Sequence, residues 1–124
     1  MSQLVAIAVG GALGALARYG ASSGVHALLG RAFPYGTLAV NVAGSLAMGF
    51  LYIVLLERLS LAAEWRALLL VGFLGAFTTF STFSLETLNL VEGGEWLRAV
   101  ANVVLSVVLC LFAAWLGVVL GRQL

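Results

Sequence analysis

Three long stretches of this sequence contain no charged residue, and this feature restricts the possible folds more than any other. They run from Pro34 to Leu56, from Ala67 to Leu85 and from Ala99 to Gly121. Because a helix rises about 1.5 Å per residue, about 20 residues cross a hydrocarbon core about 30 Å thick. We therefore predict that each stretch forms a membrane-spanning helix.

A fourth span is predicted near the start of the sequence, where Arg18 divides an apolar stretch. The residues from Leu4 to Ala17 and from Tyr19 to Gly30 are uncharged. An arginine fits such a helix if its guanidinium snorkels or faces protein or water instead of lipid. The predicted spans are approximately residues 3–30, 34–57, 65–90 and 96–122, within a single domain covering residues 1–124.

Composition supports an all-α integral membrane protein. Hydrophobic residues make up 63% of the chain and charged residues 9%, whereas a soluble domain has about 25% charged residues. The net charge of +1 provides no basic patch for nucleic acid, and the single cysteine, Cys110, excludes an internal disulfide. Ala15-Leu16-Ala17 resembles a signal-peptidase site, but no basic region precedes it. The sequence contains no catalytic motif, phosphate loop or metal-ligand spacing, so we do not expect an enzyme.

The arginines do not favour one orientation in the membrane. With four spans both termini lie on one side, which then carries Arg58, Arg66 and Arg122. The other side carries Arg31, Arg98 and, if it reaches the surface, Arg18. Since the basic residues of short loops orient a membrane protein, this near tie predicts insertion in both orientations and an antiparallel homodimer. A single orientation set by weaker biases is the alternative.

Four helices are also too few to enclose a conduit. Packed helices lie about 8–10 Å apart, so a tight four-helix bundle fills its centre with side chains. Two copies would supply eight helices. Small residues four positions apart allow close helix approach and are candidates for the subunit interface: Gly10 with Gly14, Ser45 with Gly49, and Gly117 with Gly121.

Polar side chains follow one face of the second predicted span. Thr37, Asn41 and Ser45 are four residues apart, which places them on the same side of a helix. A buried amide requires a hydrogen-bonding partner. The partner is either a neighbouring helix, in a contact worth about 0.6 kcal/mol on average in membranes, or the contents of a polar site.

The third predicted span contains residues that weaken a helix. Gly72 and Gly75 precede five hydroxyl residues between positions 78 and 84. Glycine lowers helix stability, and serine or threonine side chains bond backbone carbonyls and bend a helix. We therefore predict a break near Gly75 to Thr79, where carbonyls ending the first half would suit a cation and amides opening the second half an anion. A bent but continuous helix is the alternative.

Two phenylalanines follow the predicted break. Phe80 and Phe83 lie three residues apart and share a helix face, next to the face of Ser81 and Ser84. Phenylalanine in a span usually contacts lipid or packs against protein, but the rim of its ring is electropositive. Ring edges and the Asn41 amide would attract a small anion without holding it tightly.

These residues closely resemble the Fluc (CrcB) family of fluoride channels. The resemblance lies in Gly36-Thr37-Leu38 followed by Asn41, in the segment from Thr78 to Ser84 and in Arg18-Tyr19, and it extends over essentially the whole chain. It implies a dual-topology antiparallel homodimer in the cell (inner) membrane. It further implies two fluoride pores, a structural sodium ion at the dimer centre and passive export of fluoride.

The resemblance also implies roles for individual residues. Asn41, Phe80 and Phe83 would line the pore, and the backbone carbonyls of Gly75 and Thr78 would hold sodium. Further candidates for the fluoride pathway are the polar residues Ser81, Thr82, Thr37 and Ser106. Vestibule or accessory roles would belong to Arg18 and Glu86. Looser matches to the pathway lie on the same helix face as Ser106, namely Asn102 and Cys110, whose thiol is a weak donor.

Two residues also have simpler interpretations. Glu86, near the end of the third span, is either an intramembrane acid or an interfacial carboxylate in water. His26, between the first two spans, is expected to be an ordinary interfacial residue instead of a pH switch.

The mechanism we predict is electrodiffusion of fluoride through several weak sites. Two other functions stay open. A proton-coupled exporter of the small multidrug type would require an essential carboxylate facing a central cavity, and Glu86 is the intramembrane candidate. A non-transporting membrane scaffold would produce no ion flux.

Overall fold

Helices joined by short turns make up the computed structural model, which describes residues 2–124. The first helix, α1, covers Gln3–Leu29, and the Ser2 hydroxyl caps it by accepting the N–H of Val5 at 3.2 Å. The second helix, α2, covers Tyr35–Ile53 and continues through π-helical turns at Val54–Arg58. No β-strand occurs in residues 2–124.

The third segment contains two helices, α3 and α4. Its first part, α3, has α-helical turns at Ala63–Arg66 and Gly75–Phe77, with π-helical turns at Ala67–Leu74 between them. Helical structure resumes at Phe80–Glu92, which is α4. The last helix, α5, covers Trp96–Arg122.

The molecule is a multi-pass membrane protein. Four segments are long and apolar enough to cross a membrane, namely Gln3–Leu29, Tyr35–Arg58, Ala63–Glu92 and Trp96–Arg122. Large apolar side chains cover the outside of the bundle, as Leu97, Leu111 and Trp115 do on α5. A water-soluble monomer rarely exposes so large an apolar surface. The predicted all-α fold with four spans is confirmed.

Glycines bring α2 and α5 into backbone contact. A Cβ at Gly49 would overlap the carbonyl oxygen of Ala114, and a Cβ at Gly117 would overlap that of Leu46. Such close approach increases van der Waals contact, which drives helix association where lipid provides no hydrophobic force. These glycines therefore allow α2 and α5 to pack backbone against backbone.

A second glycine contact joins α1 to α3. A Cβ at Gly10 would overlap the carbonyl oxygen of Leu68, and a Cβ at Gly14 would overlap that of Phe73. The close contacts of Gly10, Gly14 and Gly117 lie within this chain, and their role at a subunit interface stays a prediction. Spacing along a helix identifies a small-residue face but not the helix that packs on it.

The loops lie at two ends of the bundle. The Arg58 guanidinium contacts the carbonyl of Arg122 at one end. At the other end, Arg98 donates to the carbonyl of Ala32 at 3.4 Å. This is the division of arginines that four spans require.

Candidate functional site

The junction between α3 and α4 consists of two residues with extended backbone. Thr78 has φ −89° and ψ 154°, and Thr79 has φ −151° and ψ 117°. The Thr78 hydroxyl donates to the carbonyl of Leu74 at 2.9 Å, and the Thr79 hydroxyl accepts the N–H of Thr82 at 3.2 Å. Thr79 is thus the N-cap of α4, a position that threonine favours.

The side chain of Asn41 pairs with the backbone of Thr79. Its oxygen Oδ1 accepts the Thr79 N–H at 2.8 Å, and its nitrogen Nδ2 donates to the Thr79 carbonyl at 3.0 Å. Both backbone groups of an extended residue inside a helical bundle therefore have partners, which burial requires. The pairing also fixes which way the amide points, and it leaves the second N–H of Nδ2 free to donate.

Arg18 of α1 contacts the end of α3. Its Nε donates to the carbonyl of Ala76 at 3.0 Å, which is one of the carbonyls that the end of a helix leaves without a partner. No acidic side chain in residues 2–124 lies within 4 Å of this guanidinium. Arg18 is therefore a positive charge placed at the negative end of a helix dipole.

Two carbonyl oxygens at the junction lack the donors that a continuous helix would provide. The Thr79 N–H, which would bond Gly75, is taken by Asn41, and the Thr82 N–H, which would bond Thr78, is taken by the Thr79 hydroxyl. Within residues 2–124 the carbonyls of Gly75 and Thr78 accept no hydrogen bond. Unpaired carbonyls of unwound helix are suitable ligands for a small cation.

A groove of about 440 Å³ opens beside the junction on the surface of the molecule. Its walls include the predicted site residues Asn41, Thr78, Phe80, Phe83 and Ser106. Further polar lining comes from Ser45, Thr79 and Cys110, and apolar lining from Gly44, Met48, Val107, Leu111 and Ala114. The folded chain therefore brings together polar side chains from α2, α4 and α5 that are far apart in the sequence.

The two phenylalanines differ in exposure. Phe80 is 77% exposed and Phe83 is 9% exposed, and their rings are tilted by 50° with centroids 5.3 Å apart. Such tilted pairs are a favourable arrangement for aromatic rings. Phe80 therefore projects from the molecule, whereas Phe83 is a buried part of the groove wall.

Several predicted pathway residues lie outside this groove. Thr82 receives a hydrogen bond from the Thr79 hydroxyl at 3.0 Å, and Ser81 lies 3.4 Å from the same hydroxyl. Thr37 is buried one helical turn before Asn41. None of these three residues lines the groove.

Glu86 lines a separate pocket of about 250 Å³ with His26 and Arg31. Its oxygen Oε1 is buried and has no hydrogen-bond partner in the described part of the chain. The carboxylate does not line the groove that contains Asn41. This separation disfavours the proton-coupled exporter, which needs an acid in the central cavity.

A buried chain of hydrogen bonds ties α5 to α4. Asn102, 2% exposed, donates to the Thr87 hydroxyl at 2.8 Å and receives the Ser106 hydroxyl at 3.4 Å. Thr87 in turn donates to the carbonyl of Phe83 at 2.8 Å. Asn102 therefore braces the wall behind the groove instead of lining it, unlike Ser106 and Cys110.

Sequence reasoning placed Ala76 and Thr79 within the predicted break without assigning either a contact, and it did not identify Thr87. Thr79 and Thr87 belong to a run of hydroxyl residues in which nothing distinguishes a capping threonine from its neighbours. Ala76 contributes only its backbone carbonyl, which no side-chain pattern reveals.

Comparison with known proteins identifies the family. The model of the family described as CrcB-like protein, Camphor Resistance (CrcB), matches residues 5–118. A Methylococcus capsulatus protein named "Fluoride-specific ion channel FluC" is 63% identical over 121 residues, which is 98% of this chain and 53% of that protein.

Proteins of the same name and similar length come from other organisms. The Coxiella burnetii protein is 56% identical over 119 residues, covering 95% of this chain and 96% of that protein. The Geobacter sulfurreducens protein is 52% identical over 124 residues and matches along the full length of both. The chain therefore belongs to the CrcB family, as the motifs around Asn41 and Phe80 indicated.

Proposed function

We propose that the protein is one subunit of a fluoride-selective channel that exports fluoride passively and thereby lowers fluoride in the cytoplasm. The observation that carries the proposal is the groove at the junction, which combines the Asn41 amide with the rings of Phe80 and Phe83. The printed name of the related proteins supports fluoride as the transported ion.

The chemistry of the groove suits a small, strongly hydrated anion. Fluoride must exchange water for other donors as it moves, and conduction requires several weak sites instead of one tight site. Asn41 has one free N–H, and the edges of Phe80 and Phe83 carry partial positive charge. No fixed positive charge lines the groove, so no residue of its wall would trap the ion.

Two subunits would complete the conduit. The groove is open on one side and Phe80 is largely exposed, so a single subunit provides only part of a wall. An antiparallel homodimer would close each groove with the partner subunit and produce two pores. The near tie of arginines between the two ends of the bundle supports insertion in both orientations.

The junction is proposed to break the third span near the middle of the membrane. Helical structure of 15 residues precedes it, and 13 helical residues follow it. Extended backbone at this depth is tolerated where protein or water covers it. Pairing by Asn41 and Arg18 supports this arrangement.

The free carbonyls of Gly75 and Thr78 fit a sodium ion. In residues 2–124 no group of three acidic, histidine or cysteine side chains could hold a metal, so a cation there would depend on backbone oxygens. Sodium would supply positive charge between the negative ends of two α3 helices. We propose that it stabilises the dimer and takes no part in conduction.

The proposal predicts selective fluoride efflux from liposomes that contain only the purified protein. Fluoride should leave rapidly, chloride should be retained, and replacing sodium by a large organic cation should reduce the fluoride flux. Ion-selective electrodes measure both anions. Equal fluoride release from protein-containing and protein-free liposomes would overturn the proposal and favour a non-transporting scaffold.

Replacing Phe80 by isoleucine is expected to reduce fluoride efflux about tenfold or more. A tenfold reduction corresponds to a loss of only about 1.4 kcal/mol of interaction free energy with the ion. Isoleucine keeps an apolar surface but has no electropositive edge. Phe112 is also exposed but lies on α5 away from the groove, so the matched control is Phe112→Ile. Similar efflux from both variants would contradict the role of the ring edge.

A further inference from the structure

His26 occupies a corner at which α1 ends and α2 begins. The residue is 9% exposed and is therefore buried against the protein. Its Nε2 accepts the backbone N–H of Gly36 at 3.0 Å, and its own carbonyl accepts the N–H of Gly30 at 2.8 Å. The side chain thus ties the start of α2 to α1, and the carbonyl of the same residue caps the end of α1.

The hydrogen bond to Gly36 replaces a missing helix cap. The N-cap residue of α2 is Pro34, whose side chain forms no capping hydrogen bond. The N–H groups in the first turn of a helix have no partner within the helix. His26 supplies the acceptor that serine, threonine or aspartate usually provides.

The contact between His26 and Gly36 leaves no room for a side chain at position 36. A Cβ at Gly36 would lie 2.5 Å from the carbonyl oxygen of Ser22 and 2.7 Å from Cε1 of His26. The absence of a side chain at Gly36 is what allows the imidazole to reach the backbone. The hydrogen bond therefore depends on both residues, His26 as the acceptor and Gly36 as a position without a side chain.

Nε2 of His26 can accept the Gly36 N–H only while the imidazole is neutral. An imidazolium carries a proton on both nitrogens and cannot accept a hydrogen bond. The pocket beside His26 also contains Glu86, which would attract an imidazolium, and Arg31, which would repel it. These are the only other charged side chains that line this pocket.

We propose that neutral His26 is a positioning residue for α2, and that its protonation releases the first turn of that helix and reduces conduction at acid pH. The link to conduction rests on the proposed fluoride function. Thr37 follows Gly36 directly, and Asn41, which pairs with the junction, lies just over one turn further along α2. A shift at the start of α2 is therefore transmitted to the groove.

Fluoride efflux tests the proposal at about pH 7.5 and about pH 5, across the range in which histidine changes its charge. His26→Gln is the main variant, because its amide oxygen can accept the Gly36 N–H and does not titrate. At about pH 5, fluoride efflux through the wild type should be about fivefold lower than through His26→Gln, because the loss of one hydrogen bond changes an equilibrium by about this factor. Protein-free liposomes at each pH correct for leakage of undissociated acid.

His26→Leu removes the acceptor and should reduce efflux at both pH values. Superimposable pH profiles of the wild type and His26→Gln would overturn the proposal, as would full activity of His26→Leu.

Hydrogen exchange separates this proposal from the fluoride function. At about pH 5, amides of residues 35–38 should exchange about fivefold faster in the wild type than in His26→Gln, with equal rates at about pH 7.5. If the wild type passes no fluoride at either pH but shows this difference, the fluoride function fails and the histidine contact stands. Equal exchange rates in the wild type and His26→Gln at both pH values would contradict the proposal that protonation of His26 releases the first turn of α2.

Discussion

Replacing Asn41 by alanine is expected to reduce fluoride efflux to the level of protein-free liposomes. The substitution leaves the N–H and the carbonyl of Thr79 without partners, and each unpaired buried group costs about 1–3 kcal/mol. It also removes the free N–H that faces the groove. Efflux and the thermal stability of the purified protein should both fall, with efflux at least about 100-fold lower.

Asn89→Ala is the matched control for Asn41→Ala. Asn89 is an exposed residue of α4, and its side chain forms no hydrogen bond in the described part of the chain. Efflux from this variant should equal that of the wild type. If Asn41→Ala also retained wild-type efflux, the junction would not depend on the amide and the proposed pathway would lose its central residue.

Replacing Gly14 by alanine is expected to disrupt the packing of α1 on α3. The new methyl group would overlap the backbone carbonyl of Phe73, and backbone cannot move aside as the end of a flexible side chain can. The two helices would have to separate, and overpacking of this kind typically costs about 1–3 kcal/mol or more. A lower melting temperature and poor recovery of folded protein would be measured in detergent.

Gly20→Ala is the control on the same helix. Apart from its chain neighbours and the adjacent backbone of α1, no atom of residues 2–124 lies within 4 Å of a Cβ placed at Gly20. Alanine is a better helix former than glycine by about 1 kcal/mol, so this variant should match or exceed the wild type in stability. A Gly14→Ala protein as stable as Gly20→Ala would contradict the close contact between α1 and α3.

The four spans could be predicted because lipid selects for long uncharged stretches. Membrane thickness converts the length of such a stretch directly into a helix. The polar face containing Asn41 also followed from helical spacing, and the family resemblance seen around Asn41 and Phe80 was confirmed by the comparisons.

Pairing between helices could not be predicted in the same way. Spacing shows that Thr37, Asn41 and Ser45 share a face, but it does not show what that face contacts. The partners of Asn41 and Arg18 are backbone groups of Thr79 and Ala76. Backbone groups are present at every position, so the side-chain sequence carries no signal for them.

The same limit explains the glycines and the histidine. A glycine face predicts close approach, but the neighbour of Gly10 and Gly14 depends on how the helices assemble. His26 is a lone histidine near the end of the uncharged stretch from Tyr19 to Gly30. Its contact with Gly36 is possible because Gly36 has no side chain at the start of α2.

The two side chains that hold the junction both come from earlier in the chain. Arg18 belongs to α1 and Asn41 to α2, whereas the backbone that they bind follows at residues 76 and 79. Synthesis proceeds from the N-terminus, so a growing polypeptide has already made both partners when Ala76 and Thr79 leave the ribosome. The side chains that bind the junction are therefore already present when the junction, the least regular segment of the chain, is synthesised.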